Sequence, residues 1–393
     1  MNIIFHGLNA PPDPDAGVDQ IYYDTTAQNI VNGKGFTYNG LPSTYTPGPT
    51  FALATIYQVF GISYAYARIG WSLLGALTVI LVYFIGNHIQ GEMFGLLASL
   101  ALALHPIHSY YSSHFLSEVP FSLFISVAIL SAILLQKHEQ IRYAILLGVA
   151  AALGAYMKPA AILYLPLYVT LCFIYLFPLT VKRCAHVIIP PILAFIVCIL
   201  PWTIRNYSVT GHIIPLTTHG GTTFLDGNNE TAFTDPTVMG GFVGVGELPE
   251  ERFVRRIPDP YERDKMAYRI GFNTIKRHIR DLPKVEAMKL YRAFTFIYNT
   301  ENKMFNAVGG ASWALLLPFF IAGLLSSLGD KLFMPLHAAL GLVVIVTLIW
   351  FGDFRYRESI APVLVIYGCR GLSSAVDWTK QTFQSFRLPS QEM

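Results

Sequence analysis

Four places in this 393-residue chain put an ionisable side chain at the end of an apolar stretch: Arg68, Glu118, Lys158 and the pair Arg355/Arg357. A charge at membrane depth costs about 2.5–3.5 kcal/mol even on the lenient insertion scale, so residues kept there are functional candidates. Asp19 joins them from an opening segment that also holds Asp13, Asp15 and Asp24. A carboxylate at a membrane surface beside fixed cations suits transfer from a lipid-linked phosphate. The cations hold the departing phosphate while the carboxylate takes a proton from an acceptor hydroxyl. Arginine binds two phosphate oxygens with its planar fork, and lysine acts as a point charge.

Each residue also has a plainer reading. Arg68 and Lys158 can snorkel to an interface, although Lys158 precedes Pro159, where a helix must break. Glu118 can be a helix-start carboxylate favoured by the macrodipole, and Asp19 a solvated one before the next helix. Asp13-Pro14-Asp15 spells the DxD spacing by which some sugar-nucleotide enzymes hold a metal, but it lies in a Pro-rich loop. The four cysteines show no CxxC or Cys/His ligand spacing. No cofactor is called for, and the place for a divalent metal would be beside Asp19 and Glu118.

The elements that must position these residues are membrane helices. The chain is 53% hydrophobic and 13% charged, where a soluble globular chain carries about 25% charge, and its mean hydropathy is +0.46. A hydrocarbon core of ~30 Å needs about 20 apolar residues per helix. Nine candidate spans follow, near 65–87, 92–106, 118–136, 142–157, 159–178, 184–202, 306–328, 332–351 and 359–376. The chain is expected to be an all-α polytopic membrane protein in three parts: 1–202, a large outer loop 203–305, and 306–393.

Placing Lys137/Arg142, Lys182/Arg183, Lys331 and a tail with Lys380 and Arg387 on the cytoplasmic side puts every candidate site residue on the outer face. The same alternation starts the chain outside, with no apolar run before the first span, so a further span ahead of it is expected. Ile21 to Asn32 reads as a helix with Tyr23, Ala27 and Ile30 on one face. Thr50 to Phe60 is apolar but too short to cross, so both are expected to lie in the interface plane. Of the 27 Lys and Arg, 13 lie between Arg205 and Arg292. That excludes a uniformly basic nucleic-acid binder and marks one cationic module. Its helix, expected from about Asp259 to Phe296, carries Arg277, Arg280, Lys284, Lys289 and Arg292, either along anionic headgroups or on a solvated face.

The succession of motifs resembles the bacterial branch of the dolichyl-phosphate-mannose protein mannosyltransferase-like membrane glycosyltransferases, relatives of the lipid A aminoarabinose transferase. It runs through DQIYYDTTAQNIVNGKGF from Asp19, Arg68, HPIHSYYSSHFLSEVPF from His105, Met157-Lys158-Pro159, PWTIRNYSVTG from Pro201, Asp226-Gly227-Asn228-Asn229, and GDFRYRESIAP from Gly352. The resemblance implies a GT-C fold that moves a sugar from a polyprenyl phosphate to a protein, lipid or glycan acceptor on the outer side of the cytoplasmic membrane. It implies Asp19 as general base and Glu118 as the acidic partner. Lys158, Arg355, Arg357, Arg68 and Arg205 are implied at the donor phosphate, and Tyr23, His105, Tyr111 and Asn228 at the substrate. Two positions depart from the pattern: Lys158 replaces an arginine, and Pro49 follows Gly48 where a tyrosine is usual. Single displacement predicts inversion at the anomeric carbon. The rivals are a transporter or flippase of lipid-linked sugars, whose inverted repeats the sequence does not show, and a glycan polymerase or ligase with a diphosphate-linked donor. The sequence names neither sugar nor acceptor.

Overall fold

The computed structural model describes residues 7–13, 17–176, 185–244, 249–298 and 300–386. Asp15, Lys182, Arg183, Cys184 and Arg387, and the side chain of Lys380, lie outside what is described. Every expected span falls on a helix, and the described strands are one two-residue pair, Thr37–Tyr38 with Leu41–Pro42.

In chain order the first helices are α1 (Asp19–Val31), α2 (Pro47–Phe60), α3 (Tyr64–Gln90), α4 (Glu92–Ala103), α5 (Pro106–Tyr111), α6 (Glu118–His138) and α7 (Ile141–Met157). A 3-10 turn, Pro159–Leu163, leads into α8 (Tyr164–Tyr175), which is followed by α9 (Ile189–Thr210). The segment between α9 and the later apolar helices holds α10 (Gly220–Gly227), α11 (Glu230–Thr234), α12 (Pro249–Arg255), α13 (Pro260–Arg277) and α14 (Leu282–Phe294). The chain returns through α15 (Lys303–Ser327), α16 (Met334–Ile349), α17 (Phe354–Glu358) and α18 (Ala361–Phe386).

Among the described residues five helical segments are long and apolar enough to cross a membrane: Tyr64–Gln90, Glu118–His138, Ala185–Thr210, Lys303–Ser327 and Lys331–Ile349. Three apolar ones are shorter: Glu92–Ala103, Ile141–Met157 and Pro159–Tyr175. The long helices leave large apolar side chains uncovered, such as Leu73, Leu77 and Ile80 on α3 and Leu193, Ile196 and Val197 on α9. In water such stripes would be a liability; in lipid they are the solvent-facing surface.

Helices touch closely where glycine permits it. A Cβ at Gly371 or at Gly323 would run into a main-chain carbonyl of the facing helix, so α15 and α18 meet backbone to backbone. Nearer Lys158, a Cβ on Gly48 would stand 2.6 Å from the Tyr156 carbonyl oxygen. The start of α2 is thereby seated on the end of α7, beside Lys158.

Two expectations about helices change. α1 begins at Asp19 rather than Ile21, and its buried face adds Gln20, Asp24 and Thr26 to Tyr23 and Ala27. Asp24 is held by Gln28 Nε2 (3.0 Å) and by the hydroxyls of Tyr57 (2.5 Å) and Tyr64 (3.4 Å), so it pins α1 to its neighbours. The long basic helix is two helices, because the chain turns at His278 and restarts with Pro283 in the first turn of α14. Lys289 is fully buried and bonds Asn228 Oδ1, Glu286 Oε1 and the Leu348 carbonyl. Arg292 donates to the carbonyls of Met239 and Thr237. Only Arg277, Arg280 and Lys284 of the five expected cations remain exposed.

Candidate active site

Asp19, Glu118, Lys158 and Arg355 come together although they are spread over the whole chain. Asp19 opens α1 and Glu118 opens α6, each in the first turn of its helix. Lys158 is the residue on which α7 stops, extended at φ −133° before the proline turn. Arg355 sits in the five-residue α17, whose N-cap Asp353 accepts a hydrogen bond from the Arg355 backbone N–H (2.7 Å).

The Arg355 guanidinium bridges the two carboxylates. It reaches Glu118 Oε1 from Nη2 (2.9 Å) and Nε (3.1 Å), and Asp19 Oδ2 from Nη2 (3.4 Å). Lys158 Nζ approaches the same Glu118 oxygen at 3.1 Å. Glu118 is thus a buried carboxylate, 1% exposed, clasped by two cations through one oxygen, while its Oε2 has no hydrogen-bond partner. Burial opposes the charge on Arg355, but Glu118 and Asp19 outweigh it and hold its pKa well above the ordinary value. Among the described residues no three His, Cys, Asp or Glu side chains cluster to hold a metal. The place between the two carboxylates is filled by the guanidinium.

An open cavity of about 230 Å³ lies against this cluster. Its polar lining includes Asp19, Tyr23, Tyr45, Ser117, Lys158, Thr217 and His219. Its apolar lining includes Phe121, Met157, Pro159, Leu342, Val343, Val346 and Trp350. α16 supplies three of these apolar side chains, and the others come from α6, the end of α7, the 3-10 turn after Lys158 and the C-cap of α16.

Several expected site residues stand elsewhere. Arg357 is fully buried and bonds Glu358 Oε1, the carbonyls of Ala293 and Thr295, and the Tyr298 hydroxyl, with Trp313 against its face. Every guanidinium nitrogen is occupied, so the expected Arg355/Arg357 pair divides into one cation at the site and one clamp behind it. His105 is buried too, its Nε2 3.7 Å from Glu358 Oε2. Asn228 holds Lys289 and donates to the Ile349 carbonyl, joining the end of α10 and α14 to α16. Arg68 donates to the Leu8 carbonyl and covers Phe115. Arg205 donates to the carbonyls of Ser43 and Phe36 and stacks on Trp202. Tyr111 is buried beside Glu118 and Arg355 without lining the cavity. Of the expected substrate contacts, Tyr23 alone reaches the cavity.

Two residues that the sequence reading passed over belong to the site. The Tyr45 hydroxyl donates to Asp19 Oδ1 (2.7 Å), and the His219 ring meets the Tyr45 ring edge to face at 4.3 Å. Both come from turn-rich segments without periodicity. The one signal near Tyr45 is the Pro47-Gly48-Pro49 run that fixes the start of α2.

The region from α2 through most of α9, which carries Glu118 and Lys158, also matches a family in sequence. The match is to the dolichyl-phosphate-mannose-protein mannosyltransferase family, over residues 44–204. It agrees with the resemblance read from the motifs. No curated protein matches the chain in sequence.

In structure the chain is similar to the oligosaccharyltransferase of Archaeoglobus fulgidus in the apo form. The identity is 15%, over 100% of this chain and 51% of that one, with a TM-score of 0.58. It is also similar to the archaeal oligosaccharyltransferase AglB from the same organism, in complex with an inhibitory peptide and a dolichol-phosphate. There the identity is 14%, over 95% of this chain and 48% of that one, with a TM-score of 0.56. ArnT from Cupriavidus metallidurans bound to undecaprenyl phosphate aligns at 14% identity over 96% of this chain and 77% of that one, with a TM-score of 0.48. The chain spans about half the length of the archaeal enzymes it matches. The fold is therefore that of an all-α, multi-pass membrane protein of the GT-C type.

Proposed function

We propose that the chain is a membrane glycosyltransferase that moves a sugar from a polyprenyl-phosphate carrier to an acceptor hydroxyl at the outer face of the cytoplasmic membrane. The observation that carries this reading is the mixed lining of the cavity. It combines a carboxylate and a lysine with aliphatic side chains, which suits a ligand with a charged head and a lipid tail. The AglB and ArnT structures named above hold dolichol-phosphate and undecaprenyl phosphate, which supports the same donor class.

In this mechanism Asp19 accepts the acceptor's proton as its oxygen attacks the anomeric carbon. The bond from that carbon to the phosphate oxygen breaks, and its electron pair leaves with the phosphate. Lys158 and Arg355 stabilise the developing charge on that phosphate. Glu118 is buried and has one oxygen committed to those cations, so its part is to fix them rather than to hold the acceptor. A single displacement inverts the sugar.

The test is transfer from polyprenyl-phosphate-linked hexoses and pentoses by the protein in nanodiscs. Asp19→Asn should lower the rate by about 10²–10⁴, the usual size of general-base catalysis. Near-normal transfer by that variant would remove the base assignment.

A further inference from the structure

Behind Arg355, α17 turns its other face to a compartment closed to water. Five residues are too few for a helix to hold itself, so the position of α17 is set by its bonds. On one flank Arg357 donates to the carbonyls of Ala293 and Thr295, and Glu358 Oε1 accepts from Arg357 and from the Tyr298 hydroxyl (2.6 Å). These contacts tie α17 to the end of α14 and the segment after it.

The other flank faces the segment 105–122, which carries Glu118. Ser122 Oγ donates to the Ser359 carbonyl (2.7 Å). His105 is the N-cap of α5: its Nδ1 accepts from the His108 backbone N–H (3.3 Å). An accepting Nδ1 in a neutral imidazole leaves the hydrogen on Nε2. That Nε2 stands 3.7 Å from Glu358 Oε2, and neither atom has a hydrogen-bond partner. The segment that bears Glu118 therefore meets α17 at both ends, Glu118 with Arg355 in front and His105 with Glu358 behind.

We propose that His105 and Glu358 form a rear brace that holds Arg355 in register with Glu118 and Asp19, a positioning pair that touches no substrate. Breaking it leaves the Ser122 bond to the Ser359 carbonyl as the tie on this flank, so α17 shifts more freely about its hold on the end of α14, and Arg355 is the side chain that such a shift displaces. This assignment of purpose rests on the cavity being the donor site.

Two substitutions separate the brace from the cap. In His105→Asn the amide oxygen takes the place of Nδ1, keeping the cap but falling short of Glu358. In His105→Gln the longer side chain reaches toward Glu358 and gives up the cap. Hydrogen exchange over residues 353–360, affinity for undecaprenyl phosphate and thermal melting are measured on each in nanodiscs. His105→Asn should melt like the wild type, exchange faster over 353–360 and bind the lipid about tenfold more weakly, a modest misplacement effect. His105→Gln should melt lower, with exchange and affinity near the wild type. Wild-type exchange in His105→Asn, or the larger exchange effect in His105→Gln, overturns the brace. Failure of the wild type to bind undecaprenyl phosphate would count against the donor reading instead, and the exchange result still decides the brace.

Discussion

The hydroxyl of Tyr45 donates to Asp19 Oδ1 across 2.7 Å, while Arg355 holds the other oxygen. Both oxygens of the proposed base are thereby fixed in direction. The Tyr45 ring is itself packed between Tyr22, at 4.2 Å, and His219, at 4.3 Å.

Tyr45→Phe keeps that packing and removes one hydrogen bond to a carboxylate, worth about 1.5–3 kcal/mol. Transfer should fall about tenfold to a hundredfold in kcat, with the donor KM little changed. Equal losses in both would place Tyr45 in donor binding instead.

Lys158 lines the cavity, half-buried, with Nζ on Glu118. Lys158→Arg should retain more transfer than Lys158→Ala, because it keeps a cation facing the leaving phosphate. Equal loss in the two variants would argue against a phosphate contact.

Glu118→Gln leaves Lys158 and Arg355 side by side around a neutral amide. Removing one partner of a buried ion pair costs about 3–5 kcal/mol. A clear drop in melting temperature is expected, together with loss of transfer. A variant that melts like the wild type would show that the cations do not depend on Glu118.

Asp264 makes a pH-dependent contribution away from the cavity. Its carboxyl accepts from the Gly221 backbone N–H (2.6 Å), and burial raises its pKa from 3.8 to about 6. The unfolded chain holds fewer protons at this group, so its stabilising contribution is full below 3.8 and lost as pH rises through about 6. Asp264→Asn keeps an acceptor for Gly221 and carries no charge. It should melt higher than the wild type above pH 7 and alike near pH 4; parallel curves across that range would refute this.

The helices were legible because a span of lipid imposes a length and an apolarity that few other structures share. Glu118, Lys158 and Arg355 stood out for the related reason that charge at a span end is costly. Arg355 and Arg357 could not be told apart in the same way. Two residues apart on a helix, they point to nearly opposite sides, and only the placement of α17 decides which side meets Asp19 and Glu118. The resemblance implied His105 and Asn228 at the substrate, yet the groups they face are Glu358 and Lys289, far off in sequence. Tyr45 and His219 were invisible because turns carry no period to read.

The clasp on Glu118 also has an order in time. Its two cations lie 40 and 237 residues further along the chain, and chains emerge from the ribosome N-terminus first. Lys158 is the first of these cations to be made and Arg355 follows only with α17, so the clasp is completed late in the synthesis of the chain.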